Sequence, residues 1–214
     1  MKSANKILSE SCITRILMHN KDHDCAMLTA FRQYDKKGNP RSKDQNNKAN
    51  ELLGKALRYL SYGITKVIGS YAEQQTGRRS MEENSWFVVN LNDDPKFISN
   101  IINFGIVHEQ DSVLIIPKNG FFDVKTTYLY GTNEDNIDDF CFVKWQDKKF
   151  ATDIKFSNDN DMLTKIKNKA FYFKFDEMIN EHDAIFNNMS NKIEIVGRMK
   201  KIYPFMFKGI NNEE

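Results

Sequence analysis

Two glutamates bracket a short polar stretch in the segment GSYAEQQTGRRSMEENSWFVVNL, Gly69 to Leu91. Glu73 and Glu83 stand on either side of Arg78 and Arg79, with Tyr71 just before them. If the flanking apolar runs pair as antiparallel strands, the two carboxylates meet at the mouth of a hairpin. Such a pair can share a proton, do general acid/base work or hold a hard cation. The two arginines can equally neutralise it, which is ordinary surface electrostatics. The balance favours a solvated hairpin mouth that doubles as the rim of a binding edge built from Tyr71, Glu73, Arg78, Arg79 and Glu83, with catalysis the smaller share.

Three other clusters carry potential chemistry. HNKDHDC supplies His19, Asp22, His23, Asp24 and Cys25, but a structural zinc site needs a second, well-separated ligand pair, so no metal is expected. His108 lies close enough in sequence to Ser112 to serve as its base, and Ser70 is a second conceivable nucleophile. Neither serine sits in a nucleophile elbow, and none of the ten glycines opens a phosphate-cradling loop. No cofactor is implied. Lys43, Lys48, Lys55 and Arg58 line the polar side of a helix and are candidate phosphate contacts. The interleaved aromatic and basic pattern of a base-stacking sheet is missing, so nucleic acid is not the favoured partner.

The elements that must position these residues follow from periodicity. Ile7, Leu8, Cys12, Ile13, Ile16 and Leu17 give residues 3–19 one apolar helical face. CAMLTAFRQY reads as a buried strand over Asp24–Arg32, because its run is continuously apolar. Ser42 with Gln45 is a capping box, and Ala49, Leu52, Leu53, Ala56, Leu57 and Leu60 continue a helix that Gly63 stops with a left-handed turn. ITKVIGSY and SWFVVNL are the next strands, and Asp93 or Asp94 caps a helix with Pro95 in its first turn. SVLIIP closes the set. The order strand, helix, strand, strand, helix, strand predicts an α+β protein with a ferredoxin-like split β-α-β core, helices on one face of a mostly antiparallel sheet.

Past Gly120 the pattern continues as strands, with Asp147-Lys148-Lys149 a turn between two of them and residues 157–161 a linker. The expected organisation is an N-terminal helix in 1–23, the core in 24–133 and a β-rich C-terminal extension in 134–214. That extension is rich in aromatics. Phe171, Phe173, Tyr203, Phe205 and Phe207 are candidate protein-docking anchors if exposed, although most of the late aromatics should be core.

Composition sets broad limits. The 214 residues, 40% hydrophobic and 28% charged, are ordinary for a globular chain, and a net charge of +2 creates no global field that demands nucleic acid or an anionic membrane. Lys36–Arg58 is locally basic and Thr132–Asp161 locally acidic. The three cysteines have no paired spacing and the N-terminal stretch has neither a signal-peptide core nor a membrane span, so reduced thiols and a cytosolic compartment are expected.

LTAFR, the asparagines Asn46, Asn47 and Asn50, GITKVIGSYAE, EENSWFVV, EQDSVLIIPKNG and YLYGTN resemble, in that order, a small domain family of phages and some bacteria that has no assigned function. The resemblance covers residues 25–133. It implies a phage-like origin and a compact α/β fold, and no reaction. The sequence therefore favours a phage-encoded, non-enzymatic protein that binds a host factor or a virion component, in the host cytoplasm or the particle. The alternatives are a small enzyme or nucleotide-binding protein using the Glu73/Glu83 loop, and a nonspecific nucleic-acid binder using the basic helix.

Overall fold

The computed structural model describes residues 12–34, 38–72, 82–134, 143–158, 169–176 and 192–199. Three helices, α1 (Cys12–Asp22), α2 (Lys43–Tyr59) and α3 (Phe97–Val107), pack on one antiparallel sheet, so the α+β class holds. The strands are β1 (Cys25–Leu28), β2 (Gly63–Ala72), β3 (Glu82–Val89), β4 (Ser112–Ile116), β5 (Tyr128–Gly131), β6 (Lys148–Phe150), β7 (Asp153–Asn158), β8 (Lys169–Asp176) and β9 (Lys192–Met199). Their spatial order is β6-β5-β4-β1-β3-β2-β9-β8-β7. The sheet is thus larger than the four-strand layer read from the sequence, and β9 joins it by pairing with β2 from Val67↔Met199 to Ala72↔Glu194.

The two outermost strands, β6 and β7, are separated in the chain only by Ala151 and Thr152. Ala151 N–H donates to Thr127 O beside β5, and Thr152 N–H donates to Lys174 O on β8. A nine-stranded sheet can satisfy both bonds only by curling until its two ends come close, although no ladder pairs β6 with β7 among the described residues. The concave side is filled by Met27, Phe87, Leu114, Phe171, Phe173 and Phe175, with Ile16 of α1 and Phe121 packed among them. Phe121 touches Phe171 edge-on, ring centres 5.4 Å apart. Phe171 and Phe173 are therefore core residues rather than docking anchors, while Tyr203, Phe205 and Phe207 lie outside the described residues.

Helices α2 and α3 cover the opposite face, where Leu53, Leu57, Phe97 and Ile101 meet Leu28, Trp86, Val88 and Ile115. The capping box of α2 is present in both halves: Gln45 N–H donates to Ser42 Oγ and Ser42 N–H to Gln45 Oε1. Its end differs from expectation. The left-handed residue is Ser61, at φ 62°, and Gly63 already belongs to β2, where Leu91 Cδ1 would lie 2.9 Å from a Cβ. The N-cap of α3 is Lys96, with no side-chain cap bond, so neither Asp93 nor Asp94 caps it and Pro95 precedes it; the Asp94 carboxylate instead accepts the Tyr62 hydroxyl and Lys96 N–H, which hold its pKa below the usual carboxylate range. Lys148 and Lys149 lie within β6, and the turn comes earlier, at Gln146 with φ 62°.

Contact between α2 and the sheet is closest at Gly54. A Cβ there would meet Trp86 Cζ2 at 2.7 Å, and the indole cannot swing away because its Nε1–H is bonded to Asn50 O at 2.9 Å. Gly54→Ala should therefore destabilise the fold by about 1–3 kcal/mol, overpacking outweighing the gain in helix propensity. Urea unfolding would read this directly, and a stabilised variant would show that the α2–sheet gap is not closed.

Candidate functional site

Strand β1 ends at Leu28, opposite Trp86 of β3, whereas the apolar run of the sequence continues to Phe31. Past that point β3 still extends through Ser85, Asn84 and Glu83, beyond the reach of the β1 ladder. Backbone groups leaving a sheet need new partners, because an unpaired buried amide costs about as much as a lost hydrogen bond. Side chains supply them here. Thr29 Oγ1 donates to Asn84 O and accepts Phe31 N–H. Asn50 accepts Ala30 N–H at 3.1 Å and donates to Asn84 O at 2.9 Å. Asn46 grips Arg32 at both backbone groups, at 3.0 and 2.9 Å, and Gln110 Nε2 donates to Phe31 O.

The segment so held roofs a cleft of about 400 Å³, within the range of small-molecule sites. Phe31, Arg32, Tyr34, Arg41, Asn46 and Glu83 line it. Arg32 stands between two carboxylates. Its Nη1 is 3.5 Å from Asp111 Oδ1, an oxygen that also accepts Asn133 Nδ2–H at 3.0 Å. The Asp111 side chain is 66% exposed, so this pair is loose and worth about 1 kcal/mol or less. On the other side burial pushes the Glu83 carboxyl up to about 7, Asp111 raising it further and Arg32 drawing it down. Burial and Arg41 together lower the pKa of His108 at the end of α3. A carboxyl that titrates near neutrality in a cleft, faced by a guanidinium, can accept a proton, release one or face a cationic substrate.

The residues singled out by sequence fall differently. Glu83 lines the cleft, opposite Gly69 in the β2–β3 register. Tyr71 belongs to β2, and Glu73, Arg78 and Arg79 lie outside the described residues, so the expected carboxylate pair is represented by Glu83 alone. Lys43, Lys48, Lys55 and Arg58 are solvent-exposed on α2, and the Arg58 guanidinium lies 5.7 Å from the Trp86 ring centre. In the histidine cluster, His23 Nδ1 is 3.0 Å from Asp93, Asp24 accepts Lys118 N–H, and Cys25 is buried with its thiol pushed up to about 12. Among the described residues no group of three His, Cys, Asp or Glu side chains is arranged to hold a metal, and no helix is long and apolar enough to cross a membrane.

The residues at or beside the cleft that sequence reasoning did not propose as site residues are Arg32, Asp111 and Gln110. A signal existed for their scaffold: Asn46 and Asn50 fall on the same helical stripe as Leu53 and Leu57, where a polar residue must be answering another polar group.

A charged cleft stands at the end of a short strand of the α+β sheet, and comparison with known proteins supplies the family. A sequence model of the S-adenosylmethionine lyase family matches residues 26–174, a span that contains Arg32, Asn46, Glu83 and Asp111. The chain belongs to the S-adenosylmethionine lyase family. No curated protein and no solved structure matches it. This membership overturns the non-enzymatic, protein-binding reading and the host-interaction and virion roles attached to it; the alternative of a small enzyme is the one that fits.

The raised pKa of Glu83 has a consequence for stability. Folding favours the protonated carboxyl, so the stability it contributes is complete below about 4.5 and is lost as the pH rises through about 7. Glu83→Gln stays neutral throughout. It should match the wild type near pH 4 and exceed it near pH 8 by about 2 kcal/mol. Urea midpoints at the two pH values test this, and a pH-independent gap would show that the carboxyl is solvated.

Proposed function

We propose that this chain cleaves S-adenosylmethionine by a lyase reaction in the cleft lined by Arg32, Arg41 and Glu83. The observation that carries the reading is the family match across a cleft whose half-buried carboxyl, Glu83, faces a guanidinium. The substrate's charges complement that pairing. Its sulfonium and ammonium groups are cationic, and its carboxylate is anionic.

Sulfonium sulfur is a good leaving group because the bonding electron pair neutralises it as the C–S bond breaks. A lyase adds no water, so the electron deficit at carbon is met from within the substrate. Either a carboxylate oxygen forms a new C–O bond, or a C–H bond supplies the pair and a proton departs. In both routes ionised Glu83 holds the cationic centre in place, and in the second it is also positioned by its pKa to take the proton. Phe31 and Tyr34 contribute the apolar and aromatic wall that an adenosyl group needs.

The test is to incubate the purified protein with S-adenosylmethionine and follow both substrate and products by mass spectrometry. Expected is loss of substrate to a thioether nucleoside and a second product whose masses sum to that of S-adenosylmethionine. No turnover, or a sum heavier by one water in the first products formed, before a cyclic ester can hydrolyse in solution, would reject the lyase reading. Because the cation favours ionised Glu83, kcat/KM should rise up to roughly tenfold between about pH 6 and pH 8. Glu83→Gln should lower kcat/KM at least roughly tenfold and flatten that rise.

A further inference from the structure

The cleft contains a cation whose role the chemistry at the sulfonium does not use. Arg32 is held with unusual firmness for a residue outside any helix or strand. Asn46 takes both its backbone N–H and its C=O, and Gln110 takes the preceding carbonyl of Phe31. The Asn46 side chain that does this is itself buried on α2. A guanidinium on so fixed a backbone loses little freedom when it binds a ligand.

Its ion pair is far less settled. The Nη1 to Oδ1 distance of 3.5 Å exceeds that of a charge-assisted hydrogen bond, and Asp111 is largely in water and already accepts from Asn133 through the same oxygen. The side chain of Arg32 is only 27% exposed, so its charge faces the cleft more than the solvent. A planar fork of donors matches a carboxylate in two parallel hydrogen bonds, and Asp111 does not supply that match at its observed distance.

We propose that Arg32 is the specificity-determining residue that grips the α-carboxylate of the substrate's amino-acid end, with Glu83 facing the cationic groups across the cleft. This inference rests on the functional reading above. The two residues impose an orientation: the carboxylate lies toward β4 and the sulfonium toward β3. A cationic nucleoside without a carboxylate would satisfy Glu83 alone and would be bound more weakly. Arg41 also lines the cleft, but among the described residues its backbone makes one bond, from its N–H to Gln33 O, so it is less firmly placed for the task.

S-Adenosylhomocysteine and its decarboxylated analogue differ only in that carboxylate, and both lack the sulfonium leaving group. Their inhibition constants against S-adenosylmethionine turnover therefore isolate the contact. Wild-type protein should prefer the carboxylated ligand at least roughly tenfold, as charged hydrogen bonds of this kind contribute. Arg32→Gln should abolish that preference by weakening S-adenosylhomocysteine alone, Arg32→Lys should restore part of it, and Arg41→Gln should leave the ratio unchanged.

Equal weakening of both ligands by Arg32→Gln would overturn the inference, as would a preference that survives it or one that moves with Arg41. Failure of S-adenosylhomocysteine to inhibit a protein that does consume S-adenosylmethionine would also overturn it, while leaving the lyase reading intact. A wild-type protein that consumes no S-adenosylmethionine removes the functional reading and this inference together. Thermal melts of the three variants separate loss of grip from loss of fold.

Discussion

The early exit of β1 from the sheet is the constraint on which the site depends. A strand flanked on both sides is held by its neighbours' backbones, and one that stops short leaves their polar groups to be paired by other means. Here the replacement is made by Thr29, Asn46, Asn50 and Gln110. Asn50 is the central member: it bonds Ala30 and Asn84 through its side chain while its own carbonyl accepts the Trp86 indole. The departing segment, β3 and α2 are thereby fixed to one another, and Arg32 is placed where the continued strand would have filled the sheet. The cleft lies where that segment leaves β3 and meets the start of α2.

A second tension follows from where Glu83 sits. Most carboxylates at a strand end reach water, but this one is buried enough to titrate near 7, so at neutral pH the folded state pays to keep it charged. Packing alone does not explain such a group, since Gln is nearly the same size and carries no charge to desolvate. Perturbed titration in a cleft is commonly retained where binding or chemistry uses it. The curled sheet supports the arrangement from behind, because β2 pairs with β3 along its whole length and β9 backs β2 in turn.

How much of this was legible depended on whether the signal was local. Helix α2 could be read to its capping box, because cap and stripe are written in consecutive residues. The exit of β1 could not, since CAMLTAFRQY is apolar past Leu28 and what pulls it from the sheet lies on α2 and before β4. Phe171, Phe173 and Phe175 illustrate a signal present but outweighed by abundance: their spacing of two puts them on one face of β8, and one face of a strand in a curled sheet is core. The closure itself, with β6 and β7 as neighbours through two residues, has no sequence signature. Nor does the site, whose parts come from the end of β1, the start of α2, β3 and the approach to β4. Family membership came from a match along residues 26–174, a span that takes in all of these parts.

Charge order in the cleft links these constraints to the chemistry. With Glu83 ionised, Arg32 and Arg41 are balanced by Glu83 and Asp111, and with Glu83 protonated the same four groups carry a net positive charge. A substrate bearing two cationic centres and one carboxylate is repelled by the second state and accepted by the first. Its cationic end gains most beside Glu83, where the surroundings are less polar and the effective dielectric lower than at exposed Asp111. On the proposed reading, binding such a substrate draws the Glu83 proton off, and the carboxylate so created faces the positive sulfonium. On the same reading that attraction weakens as the C–S bond breaks and sulfur becomes neutral, so Glu83 holds the thioether product less tightly than the sulfonium substrate.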